Sequence, residues 1–162
     1  QQLYFAPNNG EQLIVNKSDN TDDVISSPNS LFAHCLMDLS LHTGNLEYAE
    51  IAKGLLSQNM SQLEKYPAWN TNWIRLYMEN ALGQITVALS DHFSEGDIFK
   101  FKSGLPSWVH IGKINPKSAI SWLQHTESNE PSIYICAGNQ CFEAVHTLEH
   151  AFEIIEEVVS MG

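Results

Sequence analysis

The chain has 162 residues, 43% hydrophobic and 17% charged, the balance of one ordinary folded domain or of two small ones, which excludes disorder as its main state. Nineteen acidic residues against eight Lys plus Arg leave a net charge of -11, so neither a nucleic-acid phosphate track nor an anionic membrane surface is an expected partner. No apolar run approaches the roughly 20 residues of a spanning helix or the pattern of a signal peptide, and three cysteines are too few for a disulfide scaffold, which points to the cytoplasm.

The chain starts at Gln1, which reads as the start of a trimmed or processed chain. Two short strands are expected first, Leu3 to Ala6 and Gln12 to Asn16, around Pro7-Asn8-Asn9-Gly10, where Asn and Gly supply the positive φ of a tight turn. An acidic loop from Ser18 to Asp23 then leads to a strong helix start, Ser27 as N-cap with Pro28 at the first helical position. Leu31, Phe32, Cys35, Leu36 and Leu39 follow at helical spacing, and Gly44 can stop the helix. Asn45 can cap a second helix with Tyr48, Ile51, Ala52, Leu55 and Leu56 on one face, so the two helices are expected to pack as an antiparallel pair. A third helix is expected after Pro67, with Trp73, Ile74, Tyr77, Met78 and Ala81 inward and Gly83 as its stop.

After Gly83 the apolar period changes from 3.6 to 2: Ile85, Val87 and Leu89 alternate with Gln84, Thr86 and Ala88, the pattern of a strand. The stretch from His92 to Pro106 suits a strand or a helix equally. A second strand is expected over Trp108 to Ile111, a short helix from Asn115-Pro116 through Leu123, a third strand over Ser132 to Cys136, and a final helix from Leu148 to Val159. Strands joined by helical or irregular connections favour a small, mainly parallel sheet. The fold class is therefore mixed α+β, with helical hairpins over 1–83 and a small α/β subdomain over 84–162. Tyr66, Trp69, Trp73 and Tyr77 bring more aromatic area into one segment than three helices easily cover, so a cover is expected from the α/β half, a second copy of the chain, or a longer parent.

Tyr4-Phe5, Gly10-Glu11-Gln12-Leu13-Ile14, Lys17, and Asp22 leading into Ser27-Pro28-Asn29-Ser30 resemble the late part of the spermatogenesis-associated, thioredoxin-domain-containing family. The resemblance continues through Leu39 to Tyr48 with Thr43-Gly44, through Glu64-Lys65-Tyr66-Pro67 and Trp73, and through Tyr134-Ile135-Cys136, Cys141 and Val145. Members of that family join a thioredoxin-like domain to a helical-hairpin toroid similar to that of N-acylglucosamine 2-epimerases and six-hairpin glycosidases. The resemblance implies that this chain is a non-catalytic C-terminal portion, the last hairpins of an (α/α) toroid plus an α/β appendage, with the upstream domains as its partners and no cofactor of its own. In the family's Asp-Gly-Ala and Pro-Ser pattern this chain departs at Asp23, Val24, Ser26 and Pro28.

Asp22, Asn29 and Ser30 are the candidate binding residues, for a small carbohydrate-like ligand at the hairpin ends of a toroid; capping of the helix start accounts for the same residues. No partner carboxylate for glycoside hydrolysis is marked. Cys136 and Cys141 flank the turn-like Ala137-Gly138-Asn139-Gln140, and stand as a redox pair, an inert disulfide, or two packed thiols. His146 and His150 superficially extend that pair to a metal set, but Thr147 as an N-cap would place His146 outside the helix, and no metal is expected. Three readings follow: a non-catalytic closing segment, a contributor to a sugar-binding or epimerase-like cleft of a parent protein, and a self-association module forming a homo-oligomer.

Overall fold

In a computed structural model, residues 3, 4, 9, 18–125, 129–138 and 140–160 are described. The hairpin expected over 3–6 and 12–16 falls, apart from Leu3 and Tyr4, outside them. The chain is mixed α+β and divides into two compact units, Gln1–Met78 and Glu79–Gly162.

The first unit is built on an antiparallel helical pair, α1 (Pro28–Thr43) and α2 (Leu46–Lys65). Ser27 Oγ accepts from the Ser30 amide at 3.1 Å to start α1, and Gly44, at φ 71, stops it. Asn45 Oδ1 accepts from Glu47 N at 3.0 Å and caps α2. A 3-10 turn, Pro67–Trp69, leads to α3 (Thr71–Leu82). Ala33, Leu36, Met37, Ala52, Leu55, Leu56, Trp73 and Leu76 form the core of this unit, each large apolar side chain there contributing about 1.5–3 kcal/mol.

Two expected faces are corrected. On α1 the packed face carries Asn29, Ser30, Ala33, His34, Leu36, Met37 and Ser40, while Leu31, Cys35 and Leu39 are exposed. On α3 Trp73 and Leu76 are buried and Ile74 packs against the same core, while Tyr77 and Met78 are about half exposed, like Tyr66 and Trp69, and Ala81 is exposed. The packed face of α1 differs from a hydrophobicity-only reading because Asn29, Ser30 and His34 find hydrogen-bond partners on the packed side.

The second unit is a four-stranded sheet in the order β2-β1-β3-β4: β1 (Ile85–Leu89), β2 (Val109–Lys113), β3 (Ile133–Ala137) and β4 (Gln140–Cys141). The ambiguous stretch after His92 contains α4 (Glu95–Ser103), started by Ser94 Oγ accepting from Asp97 N at 3.2 Å. That helix carries the chain back along the sheet, so β2 pairs parallel to β1. The sheet is not mainly parallel, however: β3 pairs antiparallel with β1, and β4 antiparallel with β3. The reason is that the connection leaves β2 and enters β3 at the same end of the sheet. Ile114 N donates to Leu89 O, and Ser90 N donates to Ser132 O, so β3 begins where β1 and β2 stop. The helix expected after Asn115-Pro116 shrinks to a 3-10 turn, Ser121–Leu123, which lies on the sheet at Gly112.

One sheet face, Ile85, Val87, Leu89, Ile133 and Ile135, packs with Phe101, Ala151 and Ile155 of α4 and α5 (Leu148–Ser160). Gly83, at φ +79, follows α3 and lies so near the β3–β4 turn that a Cβ there would stand 2.8 Å from Gly138 Cα. Only glycine fits both that backbone region and that approach.

Candidate functional site

The acidic loop before α1 brings Asp22, Asn29 and Ser30 together, and all three are buried. Asp22 Oδ1 accepts from the Ser27 amide at 2.8 Å and from Ser30 Oγ at 2.7 Å. Its Oδ2 accepts from the Asn72 and Trp73 amides at 2.9 and 3.2 Å. Those last two amides belong to the first turn of α3, where helical N–H groups have no intrahelical acceptor. A carboxylate offers about four lone-pair directions, and four donors occupy those of Asp22. A negative charge beside two helix starts is also favoured by the helix dipoles.

Ser30 Oγ accepts in turn from Asn72 Nδ2 at 3.0 Å, and His34 Nε2 lies 2.9 Å from the Asn72 carbonyl oxygen, so that ring nitrogen carries the donated proton. The Trp73 indole N–H donates to the Asn20 carbonyl at 2.6 Å. Asn29 grips the chain near its start: Oδ1 accepts from Leu3 N at 2.7 Å, while Nδ2 donates to the carbonyls of Leu3 at 3.1 Å and Asp19 at 2.8 Å. The arrangement is a hydrogen-bonded knot that ties the loop at 19–22 to α1 and α3.

No protein-family model, curated protein or solved structure matches this chain.

Cys136 and Cys141 face each other in register across the β3–β4 pair and are joined by a disulfide at the sheet edge, with Cys141 exposed. His146 and His150 do not join them: His146 Nδ1 lies 2.6 Å from the Pro131 carbonyl, outside α5, which begins at Leu148. Among the described residues no group of three His, Cys, Asp or Glu side chains converges as a metal site requires.

At the carboxyl end of β1, Ser90 Oγ lies 3.2 Å from His92 Nδ1 and accepts from Ser132 N at 3.0 Å. Ser90 is 3% exposed, so its hydroxyl serves the strand junction and is not open to a substrate. The start of α4 nearby carries Glu95 and Asp97 in its first turn, which fills with protein carboxylates the position an anion would take. Lys113 Nζ sits 2.6 Å from Glu95 Oε1 and 3.9 Å from Asp91 Oδ1, and its pKa is raised chiefly by the hydrogen bond to Glu95. On the second sheet face His125 stacks on Tyr134, ring centroids 4.0 Å apart and planes within 5°; burial pushes its pKa below the ordinary value, partly offset by a backbone hydrogen bond at Trp122.

Sequence reasoning finds Asp22, Asn29 and Ser30 but misses Asn72 and Trp73, whose backbone N–H groups complete the knot. The available signal was Asn70-Thr71-Asn72 ahead of a tryptophan, a polar helix start needing an acceptor for its free amides. Among the described residues no helix is long and apolar enough to cross a membrane.

Proposed function

We propose that this chain is a non-catalytic closing segment of a larger helical protein, in which α1 and α2 form the last hairpin of an (α/α) array. The observation that carries the proposal is the outward face of α1. Leu31 and Leu39 are 50% and 46% exposed, with Cys35 also exposed between them. The three recur at every fourth residue and so make one stripe along the helix. The free face of α2, by contrast, carries Glu47, Glu50, Lys53, Ser57, Ser61 and Glu64, the composition of a face turned to water. A hairpin polar on one outer side and apolar on the other fits the end of a helical layer.

The candidate ligand residues support the same reading. Asp22, Asn29 and Ser30 spend their polar atoms on helix starts and on the chain near Leu3. A sugar-binding role for Asp22 would require at least one of those four hydrogen bonds to be surrendered, so the carbohydrate-cleft reading has less support. A cytoplasmic setting belongs to this proposal on the low cysteine count of the sequence, and the Cys136–Cys141 disulfide is the observation that weighs against it.

The test is alkylation of Cys35, the free cysteine of the described chain. In the isolated chain it should react readily; in a longer parent bearing the preceding hairpins it should react about tenfold more slowly, as burial removes it from reagent. The isolated chain should also show neither thiol-disulfide exchange nor sugar turnover. Equal alkylation rates in both contexts, or either activity at enzymatic rates, would sink the proposal.

A further inference from the structure

The second unit carries a groove of about 780 Å³ between α5 and the turn that follows α4, floored by Leu105, Pro106, Phe152, Ile155 and Val159. A smaller hollow of about 410 Å³ continues it past Phe152 toward Lys100 and Leu148. Together they run along α5 from Leu148 to Ser160, about 18 Å at 1.5 Å per residue, the length of roughly three turns of a helix laid alongside.

The rim has a sign. Glu153, Glu156 and Glu157 border the main groove, and Glu149 and Asp97 border its continuation, against the single Lys100. Glu153, Glu156 and Glu157 are exposed, and among the described residues no Lys, Arg or His pairs with them. Glu156 and Glu157 also lie in the last turns of α5, where the helix dipole disfavours negative charge. An apolar floor with an uncompensated acidic rim is complementary to a segment that is apolar on one side and cationic on the other.

We propose that this groove is a docking site for a basic amphipathic helix of a partner protein, with Leu- or Phe-like side chains on Phe152 and Val159 and Lys or Arg against Glu153, Glu156 and Glu157. This goes beyond the closing-segment reading and does not rest on it, since it concerns only the second unit. Electrostatic attraction of this kind sets encounter rate and orientation, and apolar contact sets the lifetime of the complex.

The experiment uses a fluorescent helix of Leu and Lys, about 14 residues or four turns long, and its Leu/Glu counterpart, titrated with the whole chain at about 0.15 M salt. The expected result is binding of the Leu/Lys helix about tenfold or more tighter than the Leu/Glu one. Replacing Glu153→Lys, Glu156→Lys and Glu157→Lys together should weaken it by about tenfold, and Val159→Ser should weaken it as well. Reversing the exposed Glu47, Glu50 and Glu64 of α2 should change it by less than about twofold, since these lie outside the groove. All three positions of each triple variant are exposed, and circular dichroism verifies that each variant folds. Equal losses from the two triple variants would mean attraction to the molecule's overall negative charge and would overturn the proposal. Absence of binding, or sedimentation showing that a second copy of the chain fills the groove, would overturn it too.

Discussion

The carboxylate of Asp22 lies 2.9 Å from the backbone nitrogen of Asn72, fifty residues further along the chain, and accepts its hydrogen bond. Through its other oxygen it holds Ser27 and Ser30 at the start of α1. One buried side chain thus serves two helix starts, and α1 and α3 share an anchor outside either helix.

Asp22→Ala is expected to destabilise the chain by about 3 kcal/mol, because it strands buried donors at both helix starts and removes a favourable charge. Asp22→Asn should cost nearly as much, since its amide nitrogen would confront donors. Chemical denaturation reads both; a loss below about 0.5 kcal/mol, the level of an ordinary surface change, would show that the knot carries no stability.

Gly83 and Gly44 form a matched pair of left-handed glycines, φ +79 and +71, but a Cβ at Gly83 meets the backbone of Gly138 whereas one at Gly44 meets nothing within 4 Å. Gly44→Ala should cost about 1 kcal/mol, for the backbone conformation alone. Gly83→Ala should cost about 3 kcal/mol, the added part coming from overpacking against a backbone that cannot rotate away. Similar melting temperatures for the two variants would refute the close approach.

Reduction of Cys136–Cys141 should lower stability by about 2 kcal/mol, as expected for a bond closing so short a loop. The effect should be local. Amide exchange should accelerate at Gln140 and Cys141 on the edge strand while Val87 and Ile135 in the centre stay protected. Loss of protection across the whole sheet would contradict this.

His125 gives the chain a pH dependence of known sign. Burial disfavours its charged form and sets its pKa below the ordinary 6.5. The unfolded chain therefore takes up this proton first as pH falls, so its stabilising contribution is present above about 6.5 and is lost as pH drops toward the folded-state value. His125→Gln should flatten the dependence of melting temperature on pH between about 5 and 7. A variant with the same slope as the parent chain would exclude His125 as its source.

Local signals in this sequence are strong. Ser27-Pro28, Gly44, Asn45 and the final helix from Leu148 stand where capping and periodicity place them, because a cap is a contact between residues two or three apart. The helix from Glu95 was undecidable by period, yet Ser94 and Asp97 were its capping signature. The packed faces of α1 and α3 were not legible. Asn29, Ser30 and His34 point inward because their partners are Leu3, Asp19, Asp22 and Asn72, and two of these, Leu3 and Asn72, lie 26 residues from Asn29 and 38 residues from His34, beyond a local window.

The sequence by itself determined the mixed α+β class and most helix boundaries, since these follow from side-chain period and from caps that act within a turn. It also supplied Asp22, Asn29 and Ser30 as polar residues gathered at a helix start. Tertiary structure decided what those residues are spent on, turning a carboxylate that looked available into one with four donors. It likewise decided the sheet: β3 runs antiparallel because its strand begins at the end where β2 stops, and strand direction depends on where a connection leaves the chain in space, which side-chain alternation does not encode.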